Sequence, residues 1–244
     1  MPKTAAIIIV GNEILSGKVM DSNSHFLASE LRALGIDVKR IIVIPDDVSE
    51  IGKEVYESSS KYDYVFTAGG IGPTLDDLTV EGIAHGFGAP LIKSPQMERI
   101  ILTRCGERPP QGSALKMALI PEGTELIFNK EMRFPIMVFK NIYIFPGIPK
   151  FLREKFNLIK DRFRTEPFHI KKIFINEDEC FVSDYLVETS KKYPDVSIGS
   201  YPIVEGTGYK VSIILESQRE DSLEGAFRDL VGRLPKEIVV SMSD

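Results

Sequence analysis

The sequence predicts an α/β fold: a three-layer sandwich with a mostly parallel sheet, followed by a small α+β domain. Three observations carry this. "TAAIIIVG" near the amino terminus is a continuous apolar, β-branched run, as expected of a strand covered on both faces. Strand and helix patterns then alternate through "LTVEGIAHGFG", and such alternation folds into a parallel sheet flanked by helices. Near Thr165 to Pro167 the pattern changes to a shorter series of strands and helices. The domains are therefore expected at 1–166 and 167–244.

Each element has its own signal. In "DSNSHFLASELRALG", Phe26, Leu27, Leu31 and Leu34 recur at helical spacing, with Asp21 or Ser22 placed to cap and Gly35 to stop the helix. "VKRIIVIP" reads as a strand, the following helix starts near Ser49, and "DYVFTAGG" is the third strand. "SPQMERIILTRCG" reads as a helix, "ERPPQGS" as a break, and "ALKMALIPEGTELI" as a short helix and a strand. "MRFPIMVFKNIYIFPGIP" is a hairpin turning near Lys140 and Asn141, and "KFLREKFNLIKDRF" is an amphipathic helix. In the second domain, "HIKKIFIN", "VSIGSYPI" and "YKVSIILESQ" are strands, and "DECFVSDYLVETSKKYP" and "SLEGAFRDLVGRLP" are helices.

Composition narrows the class. With 43% hydrophobic and 27% charged residues, the 244-residue chain can bury a core without disulfide staples. Cys105 and Cys180 alone make neither a disulfide framework nor a thiolate cluster, which points to reduced thiols in a cytoplasmic protein. A net charge of −5 and the lack of a dense basic arm argue against a nucleic-acid partner. The first apolar run is too short to span a membrane, so no membrane partner is expected. His25, His85 and His169 have no zinc-like spacing and form no triad with Ser and Asp.

In sheets of this kind ligands sit outside the carboxyl ends of the strands. Three loops fall there: "GNEILSG", "PDD" and "GGIGPTLDD". Gly69, Gly70 and Gly72 precede a helix, a context that suits either a tight turn or an anion cradle. The pattern is neither a Walker loop nor a dinucleotide fingerprint. Asp76 and Asp77 could cap the next helix, or with Glu13 and Asp46 form an acidic cluster that calls for a cation or raised pKa values. Asn12 and Asn23 could position a ligand, Lys116 could neutralise phosphate charge, and Gly147 in "FPGIP" could line another wall. Capping, solvated charge and turn chemistry fit these residues as well.

Taken together and in order, "GNEILSGKVMDSN", "IPDD", "GGIGPTLDDLT" and "FPGIP" resemble the molybdopterin-binding domain family of molybdenum-cofactor biosynthesis and competence/damage-inducible proteins. "RFPIMVFKNIYIFPGIPKFLR" and "GSYP" extend the resemblance to the N-terminal domain of animal-type FAD synthases, over nearly the whole chain. The resemblance matches Gly69, Gly70, Gly72 and Thr74 to the family's phosphate-holding loop and Asp21 and Asn23 to its "DxN" turn; Gly11, Asn12, Pro73, Lys116 and Gly147 complete the expected ligand- or phosphate-binding set. It matches Glu13, Asp46 and Asp77 to the family's acidic residues, which are expected to be catalytic; Asp46 and Asp77, with the neighbouring Asp76, are the expected metal ligands. Asn12 stands where the family commonly has aspartate, and "MRFPIM" replaces the competence-type "GTAPG".

The leading expectation is metal-dependent hydrolysis of a nucleotide pyrophosphate such as FAD or ADP-ribose, giving AMP and a second monophosphate. Its cofactors would be a divalent metal (Mg, Mn or Co) and potassium. The alternatives are molybdopterin binding or adenylylation, and a non-enzymatic ligand-binding module. The partners expected are a dinucleotide or pterin and further copies of the chain, as a dimer or trimer.

Overall fold

The computed structural model describes residues 2–105, 112–203 and 208–243. The chain divides into two compact units, Met1–Thr165 and Glu166–Asp244.

The first unit opens with β1 (Thr4–Val10), a one-turn helix α1 (Asn12–Leu15), α2 (Asn23–Ala33), β2 (Asp37–Ile44), α3 (Val48–Lys61), β3 (Tyr64–Ala68) and α4 (Thr79–Phe87). It continues through β4 (Leu91–Lys93), α5 (Pro95–Cys105), α6 (Gly112–Lys116), β5 (Leu119–Pro121) and β6 (Glu125–Ile127). It closes with β7 (Ile136–Phe139), β8 (Ile142–Phe145) and α7 (Pro149–Ile159). Six strands form one sheet in the order β2-β1-β3-β8-β7-β6. The first four are parallel; β7 is antiparallel to β8, and β6 to β7.

Successive residues of β1 face opposite layers. Ile7 and Ile9 pack with Leu27 and Leu31 of α2 and Phe156 of α7. Ile8 and Val10 pack with Ile51 and Val55 of α3 and Ile83 of α4. That double covering is why β1 reads as an unbroken apolar run, and it makes the three layers. α3 and α4 meet through glycines: a Cβ on Gly86 would lie 2.2 Å from the Gly52 carbonyl oxygen.

The second unit contains β9 (His169–Ile175), α8 (Glu179–Lys192), β10 (Ser197–Pro202), β11 (Val211–Ser217), α9 (Glu220–Arg233) and β12 (Val239–Ser243). Its sheet is antiparallel, in the order β10-β11-β9-β12. Ile173 and Ile213 from the sheet pack with Val182 of α8 and Leu223 and Leu230 of α9.

The differences from the sequence reading are small elements. "GNEILSG" is not wholly loop, because α1 occupies it. β4 and β5 pair as a separate two-stranded ribbon, and "ALKMALIPEGTELI" holds two strands where one was expected. β12 was not foreseen. Segments of three to five residues are too short to express a period. The break expected over Glu107 to Ser113 lies largely outside the described residues. Among the described residues no helix is long and apolar enough to cross a membrane.

Candidate functional site

The carboxyl ends of β1, β2, β3 and β8 lie side by side, so the segments after them share one edge. Those segments begin at Gly11, Pro45, Gly69 and Pro146. They are cross-tied. The Gly11 N–H donates to the Ile44 carbonyl (3.1 Å), and the Gly69 N–H to the Phe145 carbonyl (3.2 Å). Asn23, the buried first residue of α2, donates from Nδ2 to the Gly147 carbonyl at 2.7 Å. Its Oδ1 is buried without a hydrogen-bond partner among the described residues. The start of α2 is held by Asp21, whose Oδ1 accepts from the N–H groups of Asn23 and Ser24 at 2.9 and 3.0 Å.

Two positions in the glycine loop require glycine. Gly69 has φ +107°, and a Cβ there would lie 2.1 Å from the Val10 carbonyl oxygen. Gly70 has φ +61°, with the Thr79 hydroxyl where a side chain would begin. That hydroxyl, fully buried, donates to the Gly69 carbonyl at 2.8 Å. Gly147 approaches from the neighbouring loop, its Cβ position 3.2 Å from Gly69 Cα. The loop is thus pinned between β1 and the segment after β8. Pro73 and Thr74 lie exposed at its tip.

Asp76 and Asp77 do not cap α4, whose start at Leu78 has no side-chain cap. They fold onto Thr74 instead. Its hydroxyl lies 2.5 Å from Asp76 Oδ1 and 2.6 Å from Asp77 Oδ2, and its N–H donates to Asp77 Oδ2 at 2.8 Å. Hydrogen bonding from Thr74 holds the Asp76 carboxyl below the ordinary carboxylate range. The Asp77 carboxylate also fills the place of a Cβ on Gly72, at 2.6 Å. Lys116, at the end of α6, donates to the main-chain oxygen of Asp77 at 2.8 Å.

The two aspartates after β2 divide the work. Asp47 caps α3 by accepting from the Glu50 N–H at 2.9 Å. Asp46 turns to the site and accepts from the Asn12 N–H at 2.8 Å, which anchors α1. Burial pushes the Asp46 carboxyl above the ordinary range; the Asn12 N–H pulls it down, and the charges of Glu13, Asp76 and Asp77 raise it further. The four carboxylates therefore share one electrostatic environment. The Glu13 side chain folds back over Gly11, 2.7 Å from that residue's Cβ position.

Residues 6–165 match the family model described as "probable molybdopterin binding domain". The chain belongs to the molybdopterin-binding domain family. Residues 167–243 match a second model, "FAD synthase, middle domain". A protein of Archaeoglobus fulgidus is 37% identical over 196 residues, covering 80% of this chain and 84% of that one. A probable FAD synthase of Caenorhabditis briggsae is 33% identical over 249 residues, 91% of this chain and 48% of that protein. The chain thus spans about half the length of that relative and of its Caenorhabditis elegans counterpart. A crystal structure described as the protein CinA, with unknown function, from Thermoplasma acidophilum aligns with a TM-score of 0.62 at 33% identity. It covers 66% of this chain and 98% of that one.

This assignment corrects the leading functional expectation. The family model covering the first unit is a molybdopterin-binding one, which overturns metal-dependent pyrophosphate hydrolysis and the nucleotide pyrophosphatase class. Among the described residues no three His, Cys, Asp or Glu side chains are grouped to hold a metal ion. Asp46, Asp76 and Asp77 each commit an oxygen to Asn12 or Thr74.

One further strand end meets this edge, which sequence reasoning did not place. Because β7 is antiparallel to β8, the start of β7 at Ile136 lies at the same end of the sheet as Phe145, just before Gly147. The hairpin turn at Lys140 and Asn141 was the available signal, since a hairpin returns its first strand's start to its second strand's end.

Proposed function

We propose that the first unit binds molybdopterin or a closely related pterin phosphate at the carboxyl edge of its sheet, and transfers an adenylyl group to it from ATP. The observation that carries this reading is the family match over residues 6–165, which includes every loop of the edge. The pinned loop at Gly69 and Gly70 supports it, because glycines let backbone approach a phosphate closely.

In the reaction, a phosphate oxygen of the pterin attacks the α-phosphorus of ATP. The bond to the β-phosphate breaks and pyrophosphate leaves. A phosphate monoester is already anionic at neutral pH, so this step needs orientation more than a general base. Orientation would come from Asn23, Gly147 and the Gly69–Thr74 loop, which are tied to one another. The carboxylates of Glu13, Asp46, Asp76 and Asp77 repel an anionic ligand. A divalent cation (Mg, Mn or Co) held jointly by a carboxylate and the ligand's phosphates would supply charge neutralisation.

The test is direct. Molybdopterin is titrated into the protein by calorimetry, then ATP is added and pyrophosphate release and the adenylylated pterin are followed. Failure to bind molybdopterin sinks the reading. Binding without pyrophosphate release leaves a ligand-binding module.

A further inference from the structure

β10 is an outer strand of the second unit's sheet, and its free edge is poorly guarded. Outer strands are commonly protected by charges, bulges or proline. β12, the other outer strand, has a register shift between Val239 and Ser241 that interrupts its edge. β10 pairs with β11 over six residues without a shift, and "SIGSYP" carries no charge. Its one proline, Pro202, is its last residue. A proline in an outer strand turns its nitrogen away from the neighbouring strand. The next residue, Ile203, donates its N–H to the Lys210 carbonyl at 2.8 Å. Alternation then turns the main-chain groups of Ile198 and Ser200 outward, away from β11.

The same two residues line a groove. Its volume is about 540 Å³, with Ser183, Leu186, Val187 and Ser190 of α8 on one side and Ile198 and Ser200 of β10 on the other. Among the described residues α8 and β10 alone line it, so it opens over the free edge. Ser200 Oγ donates to Glu179 Oε1 and ties the start of α8 to the strand. Val187 is half exposed, and Leu186 and Ile198 are only partly buried. A free strand edge beside a helix-walled groove is the geometry that takes an added strand. The main chain pairs with the edge, and alternate side chains enter the groove.

We propose that the added strand is β10 of a second copy of this chain, paired antiparallel about a two-fold axis at Gly199. The strand's own pattern favours a copy over a foreign peptide. About that axis Ile198 of one chain pairs with Ser200 of the other, so the outward groups of both residues are used. Pro202, which has no N–H, falls opposite position 196, outside β10. Gly199 meets its own copy in a non-hydrogen-bonded pair, where Cα atoms approach to about 4.5 Å and neither residue has a side chain to clash. The chain has a net charge of −5, yet no like charges oppose each other along this strand. The axis runs perpendicular to the sheet, so both copies of α8 stay on one face, and the partner's strand covers the open side of the groove. The pairing is independent of what the first unit binds.

The experiment follows the full chain by sedimentation velocity over a dilution series, with amide hydrogen exchange on the wild type. Wild type is expected to form a dimer that dissociates on dilution, with slow exchange at Ile198 and Ser200 in the dimer and fast exchange in the monomer. Ser200→Ala keeps the main chain and is expected to stay dimeric. Ser200→Pro removes an outward N–H in the orientation that Pro202 already adopts, and is expected to raise the dissociation constant at least about tenfold. Val187→Lys, at a half-exposed helix position, is expected to do the same. Should Ser200→Pro fail to fold, the exchange data and Val187→Lys decide. A wild type that stays monomeric, an assembly with rapid exchange at both amides, or one that neither Ser200→Pro nor Val187→Lys weakens overturns the inference. Equal weakening by Ser200→Ala and Ser200→Pro overturns it too, since the main chain would then not matter.

Discussion

The Lys116 ammonium donates to the main-chain oxygen of Asp77 at 2.8 Å, so a helix thirty-nine positions downstream holds the tip of the glycine loop. The contact is to backbone, and its consequence is geometric. Lys116→Met is expected to weaken molybdopterin binding about tenfold, because the loop around Thr74 loses an anchor worth a charge-assisted hydrogen bond. Calorimetric titration checks it. An unchanged dissociation constant would mean that Thr74 and Asp77 hold the loop unaided.

Gly69 and Gly88 both have positive φ, +107° and +61°, but only the first is crowded. A Cβ on Gly69 would meet Val10 backbone at 2.1 Å, whereas nothing lies within 4 Å of one on Gly88. Gly88→Ala is expected to cost about 1 kcal/mol for the left-handed conformation. Gly69→Ala adds a backbone collision and is expected to cost at least about 3 kcal/mol. Urea denaturation of the two variants gives the comparison, and equal losses would contradict it.

Asp46 makes the site pH-sensitive. Its folded pKa lies above the ordinary 3.8, so the folded state takes up the proton more readily than the unfolded chain. The stability this residue contributes is present below pH 3.8 and is lost as pH rises through the raised value. Asp46→Asn lacks that titration. Its melting temperature relative to wild type is expected to climb as pH rises above 3.8 and then level off once the folded carboxyl is ionised. A difference that stays constant with pH would refute the assignment.

Lys155 works in the opposite direction on the pH scale. Burial lowers its ammonium from 10.5 to about 8. Between those values the unfolded chain holds the proton and the folded one releases it, so this residue's contribution rises with pH. Wild type is expected to gain stability relative to Lys155→Met as pH increases from about 8 to 10.5. Thermal melts across that range test it, and parallel curves would count against a buried ammonium.

Much of this was legible from local pattern. The unbroken run in β1 announced a doubly covered strand, and Lys140 and Asn141 announced a hairpin. Glu13, Asp46, Asp76 and Asp77 could be placed on one edge because each follows a parallel strand. Local pattern could not divide labour between neighbours: Asp46 turns to the site while Asp47 caps α3. It also could not foresee that Asp76 and Asp77 would bond to Thr74 in preference to the start of α4. Choices of that kind depend on where the backbone lies in three dimensions. So do the Lys155 contacts to Phe134 and Pro135, which join residues twenty or more positions apart.

One hydrogen bond dates the assembly of the site. Asn23 and Gly147 are 124 positions apart, and their contact closes one side of the edge. Three of the strand-end loops precede residue 80, but the fourth follows only after β8. Pairings of such long range form late, because loop closure must come first. A nascent chain therefore has its glycine loop and carboxylates long before it has a ligand site. The Asn23–Gly147 side of the edge is complete only when β8 lies beside β3, so that contact reports the closed sheet of the first unit.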